Sequence, residues 1–184
     1  MHKKIFLIFL LFGNLHASLS DVNNLLFSED VNFVHTSTNE SLTKSVISNG
    51  NIIRQSELIT VNVNEPYREQ YIIDNLNIKI IDKDFDQESS YEIAALPNND
   101  LISILRNGFK NDDLKELNDN VFKVKSSSQS IILKDITEKS FSIMYLDNLN
   151  ILNTITFNKV TKWIFYLLEL VVAWVLSLVI FFQL

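Results

Sequence analysis

Residues 66–87 read PYREQYIIDNLNIKIIDKDFDQ. In this stretch Ile78 and Ile80 alternate with Asn77 and Lys79. A period of two marks a strand with one face in a core and the other in water. The pattern continues on both sides. Upstream, Ile59, Val61 and Val63 alternate with Thr60, Asn62 and Asn64. Downstream come Tyr91, Ile93 and Ala95, then Phe122 and Val124 between Lys123 and Lys125. Ile131 and Leu133 follow, then Phe141, Ile143 and Tyr145, and last Ile151, Ile155 and Phe157. Asn-, Asp- and Ser-rich stretches such as residues 126–130 separate these runs. The spacing predicts a mainly β protein, an antiparallel meander with one apolar face.

Helical spacing interrupts the alternation in few places. Ser20 and Asp21 can cap a short helix that carries Val22, Leu25 and Leu26 on one side. Asn98, Asn99 and Asp100 supply capping side chains for a second helix, with Leu101, Ile104 and Leu105 on one face and Gly108 at its end. A further short helix is expected at residues 112–117. A one-sided sheet needs its apolar face covered, and these helices are the available cover. A closed core and a groove beneath a helical lid are equally consistent with that pattern.

Composition excludes several classes of chemistry. The 184 residues contain no cysteine, which removes disulfides, thiolate catalysis, Cys-based zinc sites and a lipid-modified N-terminal Cys. Phosphate binding needs grouped Lys and Arg, which a formal net charge of −6 without a basic cluster does not offer, so no nucleic-acid partner is expected. Beyond the first 17 residues, His35 is the sole histidine, and no nucleophile elbow or zinc-ligand spacing accompanies it. Asp82, Asp84 and Asp86 open like a calcium loop, but Gln87 stands where that loop needs Gly and Ile93 where it needs Glu. On a strand the three carboxylates would share one solvated face. No catalytic residue, metal site or cofactor is expected.

The two ends are apolar. Lys3 and Lys4 precede an unbroken apolar run at residues 5–12, and Ala17 supplies a small residue for cleavage. Residues 1–17 therefore read as a signal peptide for export to the periplasm, and removing the two lysines takes the net charge to −8. The eight-residue run would span about 12 Å as a helix, short of the roughly 30 Å bilayer core. Residues 163–184 form an apolar tail, expected to be a helix of about 33 Å that can cross a bilayer. Leu, Ile, Phe and Val fill 15 of its 22 positions. They favour insertion by about 4–9 kcal/mol, against about 3 kcal/mol for Glu169. Lys159 and Lys162 would lie on the periplasmic side, the reverse of the usual bias. Two origins for this tail stay open, a membrane anchor and a shift of reading frame near residue 160.

Residues 66–87 resemble the LolA-type outer-membrane lipoprotein carriers. In that pattern a Pro-Tyr-Glu-Gln group leads into a strand, a tight turn, a second strand and an acidic Tyr-Asp-Pro-Asp-Leu-Glu-Gln segment. Here Asp74 and Asn75 stand at the turn, where Asn can replace Gly because it tolerates positive φ, and residues 82–87 stand at the acidic segment. Phe33, Val34 and His35 fall at a Phe-x-Gln position, residues 97–108 at a Pro and Leu-rich helix, and Phe122 to Val124 and Asn148 with Leu149 at later positions. Arg54 is the candidate for a lid-holding arginine, with Ile59 and Val61 where the family has aromatic residues. The likeness covers roughly residues 20–158, so residues 18–162 form the carrier-like domain; the apolar tail replaces the family's closing strands.

This resemblance implies an open, incomplete antiparallel β-barrel with a short α-helical lid. It implies a cavity holding lipoprotein acyl chains, lined by Ile59, Val61, Val63, Ile78, Ile80, Leu101, Ile104 and Leu105, with Arg54 at the lid. The implied partners are an inner-membrane ABC-type lipoprotein-releasing complex and an outer-membrane lipoprotein receptor. A different class is also consistent with the residues: a membrane-tethered periplasmic domain with a structural or adhesive role. From the two ends, the chain is expected to begin at Ser18 by mass spectrometry of its mature N-terminus. It is also expected to stay in the inner-membrane fraction after alkaline carbonate washing. Recovery of the full-length protein in a soluble periplasmic extract would overturn the second expectation.

Overall fold

The computed structural model describes residues 18–39, 44–96, 99–125, 127 and 129–160. The expected signal peptide and apolar tail lie outside them. Among the described residues no helix is long and apolar enough to cross a membrane.

The chain begins with α1 (Leu19–Leu26), whose Val22, Leu25 and Leu26 are buried as their spacing predicts. Its cap is Ser18 rather than Ser20. Asp21 accepts from the Ser18 backbone N–H at 2.6 Å and from its hydroxyl at 2.9 Å, half of a capping box. Six strands follow: β1 (Asp30–Asn39), β2 (Lys44–Gln55), β3 (Leu58–Glu65), β4 (Glu69–Ile73), β5 (Asn77–Asp82) and β6 (Gln87–Glu92). A second helix, α2 (Asp100–Asn107), precedes β7 (Leu114–Asn118), β8 (Val121–Val124), β9 (Ile132–Lys134), β10 (Ser140–Leu146) and β11 (Leu152–Lys159).

All eleven strands form one antiparallel sheet in the order β6-β5-β4-β3-β2-β1-β11-β10-β9-β8-β7. The first and last strands therefore meet in the middle, with Phe33 opposite Phe157 and His35 opposite Ile155. Among the described residues β6 and β7 each pair on one side only, so the expected open barrel is present and does not close. Both edges are short and carry charge, Glu88 and Glu92 on β6 and Lys115 and Glu116 on β7, which discourages edge-to-edge pairing.

Outside β6, whose residues are all exposed, the period-two reading sorts the faces correctly. Phe33, Ile52, Ile59, Ile73, Ile78, Leu133, Phe141, Ile143 and Phe157 point into the core. Phe141 stacks on Phe157 with ring centres 4.8 Å apart. The opposite face is polar. Asn51, Asn62 and Gln70 stand side by side on β2, β3 and β4 and join through their amides: Asn62 donates to Asn51 at 3.2 Å and Gln70 to Asn62 at 2.8 Å.

Four local expectations need correction. Strand β6 stops at Glu92, and Ile93–Ala95 is a 3-10 turn that takes the chain away from the sheet edge. The helix expected at residues 112–117 is a 3-10 turn, Asn111–Asp113, followed by β7. The 114–118 segment instead pairs with β8, and strand pairing outweighs its local helical spacing. Asp82 ends β5 and accepts from the Asp84 and Phe85 backbone N–H groups at 2.9 and 3.0 Å, while Asp84 pairs with Arg68 at 2.7 Å. The three aspartates thus build a turn rather than one strand face. The turn at Asp74 and Asn75 needs no positive φ either. Asp74 Oδ1 accepts from the N–H groups of Leu76 and Asn77 at 2.7 and 2.6 Å and closes the turn with its side chain. Those donors hold its carboxyl below its ordinary value of 3.8. The positive-φ residues sit at other turns, including Ser56, Asp86, Asn120 and Asn150.

Gly50 lies at a register shift between β2 and β3. A Cβ there would meet the Asn62 carbonyl oxygen at 1.9 Å and the Phe33 ring at 2.7 Å. The carbonyl is backbone and cannot swing away, so Gly50→Ala is expected to destabilise the protein by about 3 kcal/mol or more. The urea midpoint, followed by circular dichroism, measures this; an unchanged midpoint would contradict the packing described.

Candidate functional site

In sequence, α2 falls between the two edge strands β6 and β7, and it lies over the apolar, concave face of the sheet. Leu101, Ile104 and Leu105 all point from α2 toward the sheet, at the spacing that one helical face requires. Beneath them lies a cavity of about 100 Å³ whose walls are wholly apolar. The sheet side is Phe33, Ile52, Val61, Ile143, Ile155 and Phe157.

Of the residues singled out in the sequence, Val61, Leu101, Ile104 and Leu105 therefore line one cavity. Ile59 and Ile78 lie on the same sheet face but inside the closed core, 4% and 7% exposed. Val63 and Ile80 are half-buried and pack against that core. The five wall residues Phe33, Ile52, Ile143, Ile155 and Phe157 were not among the candidates. Parity within each strand would have found three of them, since Ile143, Ile155 and Phe157 share the face of Phe141.

Arg54, on β2, stands at the edge of this cover. Its Nε donates to the Leu26 carbonyl at 2.8 Å, and a terminal nitrogen donates to the Leu105 carbonyl. Its guanidinium lies 5.0 Å from the centre of the Phe27 ring. Leu26 ends α1, and Leu105 sits in the last turn of α2, so both acceptors are carbonyls that a helix C-terminus leaves without partners. A helix C-terminus is also the negative end of the helix dipole. One cation thus caps two helix ends and ties both helices to the sheet. Burial lowers its pKa, but guanidinium stays charged in proteins.

Further bonds fix the same end of α2. Asn23 donates to the Phe109 carbonyl at 2.8 Å and accepts from its N–H at 2.9 Å. Arg106 reaches Asn75 at the β4–β5 turn, with bonds of 3.1 Å to its carbonyl and 2.8 Å to its side chain. Gly108 ends the helix at φ 69°, and its N–H donates to Ile104 O at 2.8 Å. The other end differs from expectation. Asn99 stands at the cap position without a capping bond, and Asp100 instead accepts from the Ser127 hydroxyl at 3.0 Å.

Along the strands the concave face changes character. Next to the cavity it is apolar, except that His35 stands in the row of the wall residues Ile155 and Ile143; the next row along the strands is Ser37, Asn153 and Tyr145. His35 Nε2 lies 2.9 Å from Asn153 Oδ1, and Ser37 Oγ donates to that oxygen at 2.7 Å. Burial and the nearby Asp147 carboxylate raise the Tyr145 pKa, which keeps its hydroxyl protonated.

No protein-family model matches this chain, and no curated protein does. Among solved structures it is similar to a LolA superfamily protein from Nitrosomonas europaea. That similarity has a TM-score of 0.44 and 9% identity, over 78% of this chain and 92% of that one.

Replacing Arg54 by Leu would remove two charge-assisted bonds and leave two helix-end carbonyls without their donor. A loss of about 2–3 kcal/mol is expected. Hydrogen exchange should speed up at the last turn of α2, including the Gly108 amide, well beyond any change in β10 and β11. Uniform acceleration across the sheet would show that Arg54 supports the whole fold instead.

Proposed function

We propose that this chain is a periplasmic carrier that binds lipoprotein acyl chains between α2 and the concave face of the sheet. It would take lipoproteins from an inner-membrane ABC-type releasing complex and hand them to an outer-membrane receptor. The observation that carries this reading is an apolar cavity covered by a helix whose end is held by Arg54. The resemblance of residues 66–87 to lipoprotein carriers points the same way.

Magnitudes favour a reversible binder. A cavity of about 100 Å³ is smaller than the roughly 150 Å³ that admits one benzene ring, so an acyl chain enters only if α2 lifts. Lifting returns buried Ile104 to water at roughly 1.5–3 kcal/mol and half-buried Leu101 and Leu105 at about half that each, or about 3–6 kcal/mol together. An acyl chain that buries about ten methylenes gains roughly 8 kcal/mol. Helix and ligand thus compete for the same surface within a few kcal/mol of each other, and cargo held this way can be released without ATP.

The test is whether acyl-bearing cargo travels with the protein. Full-length chain purified from membranes in mild detergent is expected to carry lipoprotein, read by mass spectrometry of the bound fraction. Leu101→Glu places a charge in the cavity wall on a half-buried position and should lower bound cargo more than tenfold with an unchanged circular dichroism spectrum. A folded wild-type chain free of acylated molecules would end the carrier reading.

A further inference from the structure

We propose that the row formed by His35, Ser37, Asn153 and Tyr145 is a head-group site for an uncharged acylglycerol-type ligand, its hydrocarbon tail pointing under α2. This rests on the acyl-binding reading above and adds the ligand's direction and head chemistry.

The row is continuous with the cavity. His35 is the cross-strand partner of Ile155, a cavity wall, and Tyr145 follows the wall residue Ile143 by two positions on β10. Asn153 sits between Ser37 and Tyr145 in the register. A ligand lying along the strands with its tail in the cavity would therefore place its first polar atoms at this row. The reverse direction would bury a polar head among nine apolar side chains with no hydrogen-bond partner, which is strongly unfavourable.

Hydrogen bonding then selects the head. Asn153 Oδ1 is an acceptor, and Asn153 Nδ2 is used by the Ile151 carbonyl at 2.9 Å and Asp147 at 3.4 Å. His35 Nε2 must carry the hydrogen that meets that oxygen, which leaves Nδ1 of the neutral ring as an acceptor. Among the described residues, His35 Nδ1 and the Tyr145 hydroxyl make no hydrogen bond. The site thus offers one acceptor and one donor. An ester carbonyl with an adjacent hydroxyl satisfies both. A fatty-acid carboxylate has no hydrogen for Nδ1, and it would face the carboxylate of Asp147 beside Asn153.

Photo-crosslinking of the full-length chain tests both parts. Two monoacylglycerol probes are used, one with a diazirine next to the ester and one with it at the terminal carbon. The ester-side probe is expected to label peptides that contain His35, Tyr145 or Asn153, and the terminal probe those that contain Leu101 to Leu105 or Ile52. Swapped or identical labelling patterns would overturn the direction. Unlabelled monoacylglycerol should compete about fivefold better than a fatty acid of the same length, the value of roughly one hydrogen bond. Tyr145→Phe removes a donor that ester and carboxylate can both use, so it should weaken both competitors and leave the preference and the tail labelling intact. Equal competition in the wild type, or a preference that Tyr145→Phe abolishes, would overturn the head assignment. No labelling of the concave face by either probe would overturn the acyl-binding reading itself, and this proposal with it.

Discussion

The strand order imposes one constraint from which most of the molecule follows. Because β1 pairs with β11, the chain's two halves spread outward from the middle and leave β6 and β7 as distant edges. A single connection joins those edges, and it must pass over one face of the sheet. The face it passes over is the apolar one, so the connection has to be apolar on its inner side. Leu101, Ile104 and Leu105 meet that demand on one helical stripe, while Ser103 and Asn107 face water. A helix in this position is required by topology, whatever the protein does. What topology does not require is imperfect contact, and the cavity between α2 and Phe33, Ile52 and Phe157 is where packing stops short.

Helices of eight residues are too short to be stable alone, so both depend on tertiary contacts. Arg54 supplies a contact that neither could obtain from a hydrophobic face. Its fork reaches two carbonyl groups at once, and its Phe27 contact uses the aliphatic and aromatic surface just past α1. The consequence is coupling: α1 and α2 share one cation, and a displacement of either strains the other's cap. Lysine at this position would offer a point charge without the planar fork and could not span both acceptors in the same way.

Much of the fold is legible in the sequence where one face is buried and the other solvated. Alternation marks β3, β5, β8, β10 and β11, because each has aliphatic or aromatic residues at alternate positions and mostly Asn, Thr, Ser or Lys between. Strands β1 and β2 are harder to see, although they are central. Thr, Ser and Asn dominate their outer ends, and apolar residues fall on both faces: Val31, Phe33 and Ile52 are buried while Val34, Val46 and Ile47 are exposed. Local helix propensity misleads at residues 112–117, where pairing with β8 decides the outcome. At the site, Arg54 is reached only through the resemblance to lipoprotein carriers, whereas α2 shows by its 3-4 spacing. The polar row of His35, Ser37 and Asn153 is invisible in sequence, since 116 positions separate Ser37 from Asn153 and only register brings them together.

Arg54 is one of several ties on α2, and their arrangement limits what its loss can do. The two-way amide contact between Asn23 and Phe109, and the Arg106 bonds to Asn75, hold the exit of the helix independently of the guanidinium. Phe109 is also locked into the core, its ring edge-on to Phe141 at 6.4 Å. Removing the Arg54 fork therefore leaves the helix attached at its C-terminal side. What it alters is the free-energy difference between a helix seated on the cavity and one lifted from it. On the acyl-binding reading proposed above, that difference is a balance between a few leucine and isoleucine side chains and the hydrocarbon that would replace them. In a balance so close, about 2–3 kcal/mol is enough to change occupancy by about thirtyfold to over a hundredfold. On that reading the arginine would set how readily the cover yields, while Asn23, Phe109 and Arg106 would keep it in place to return.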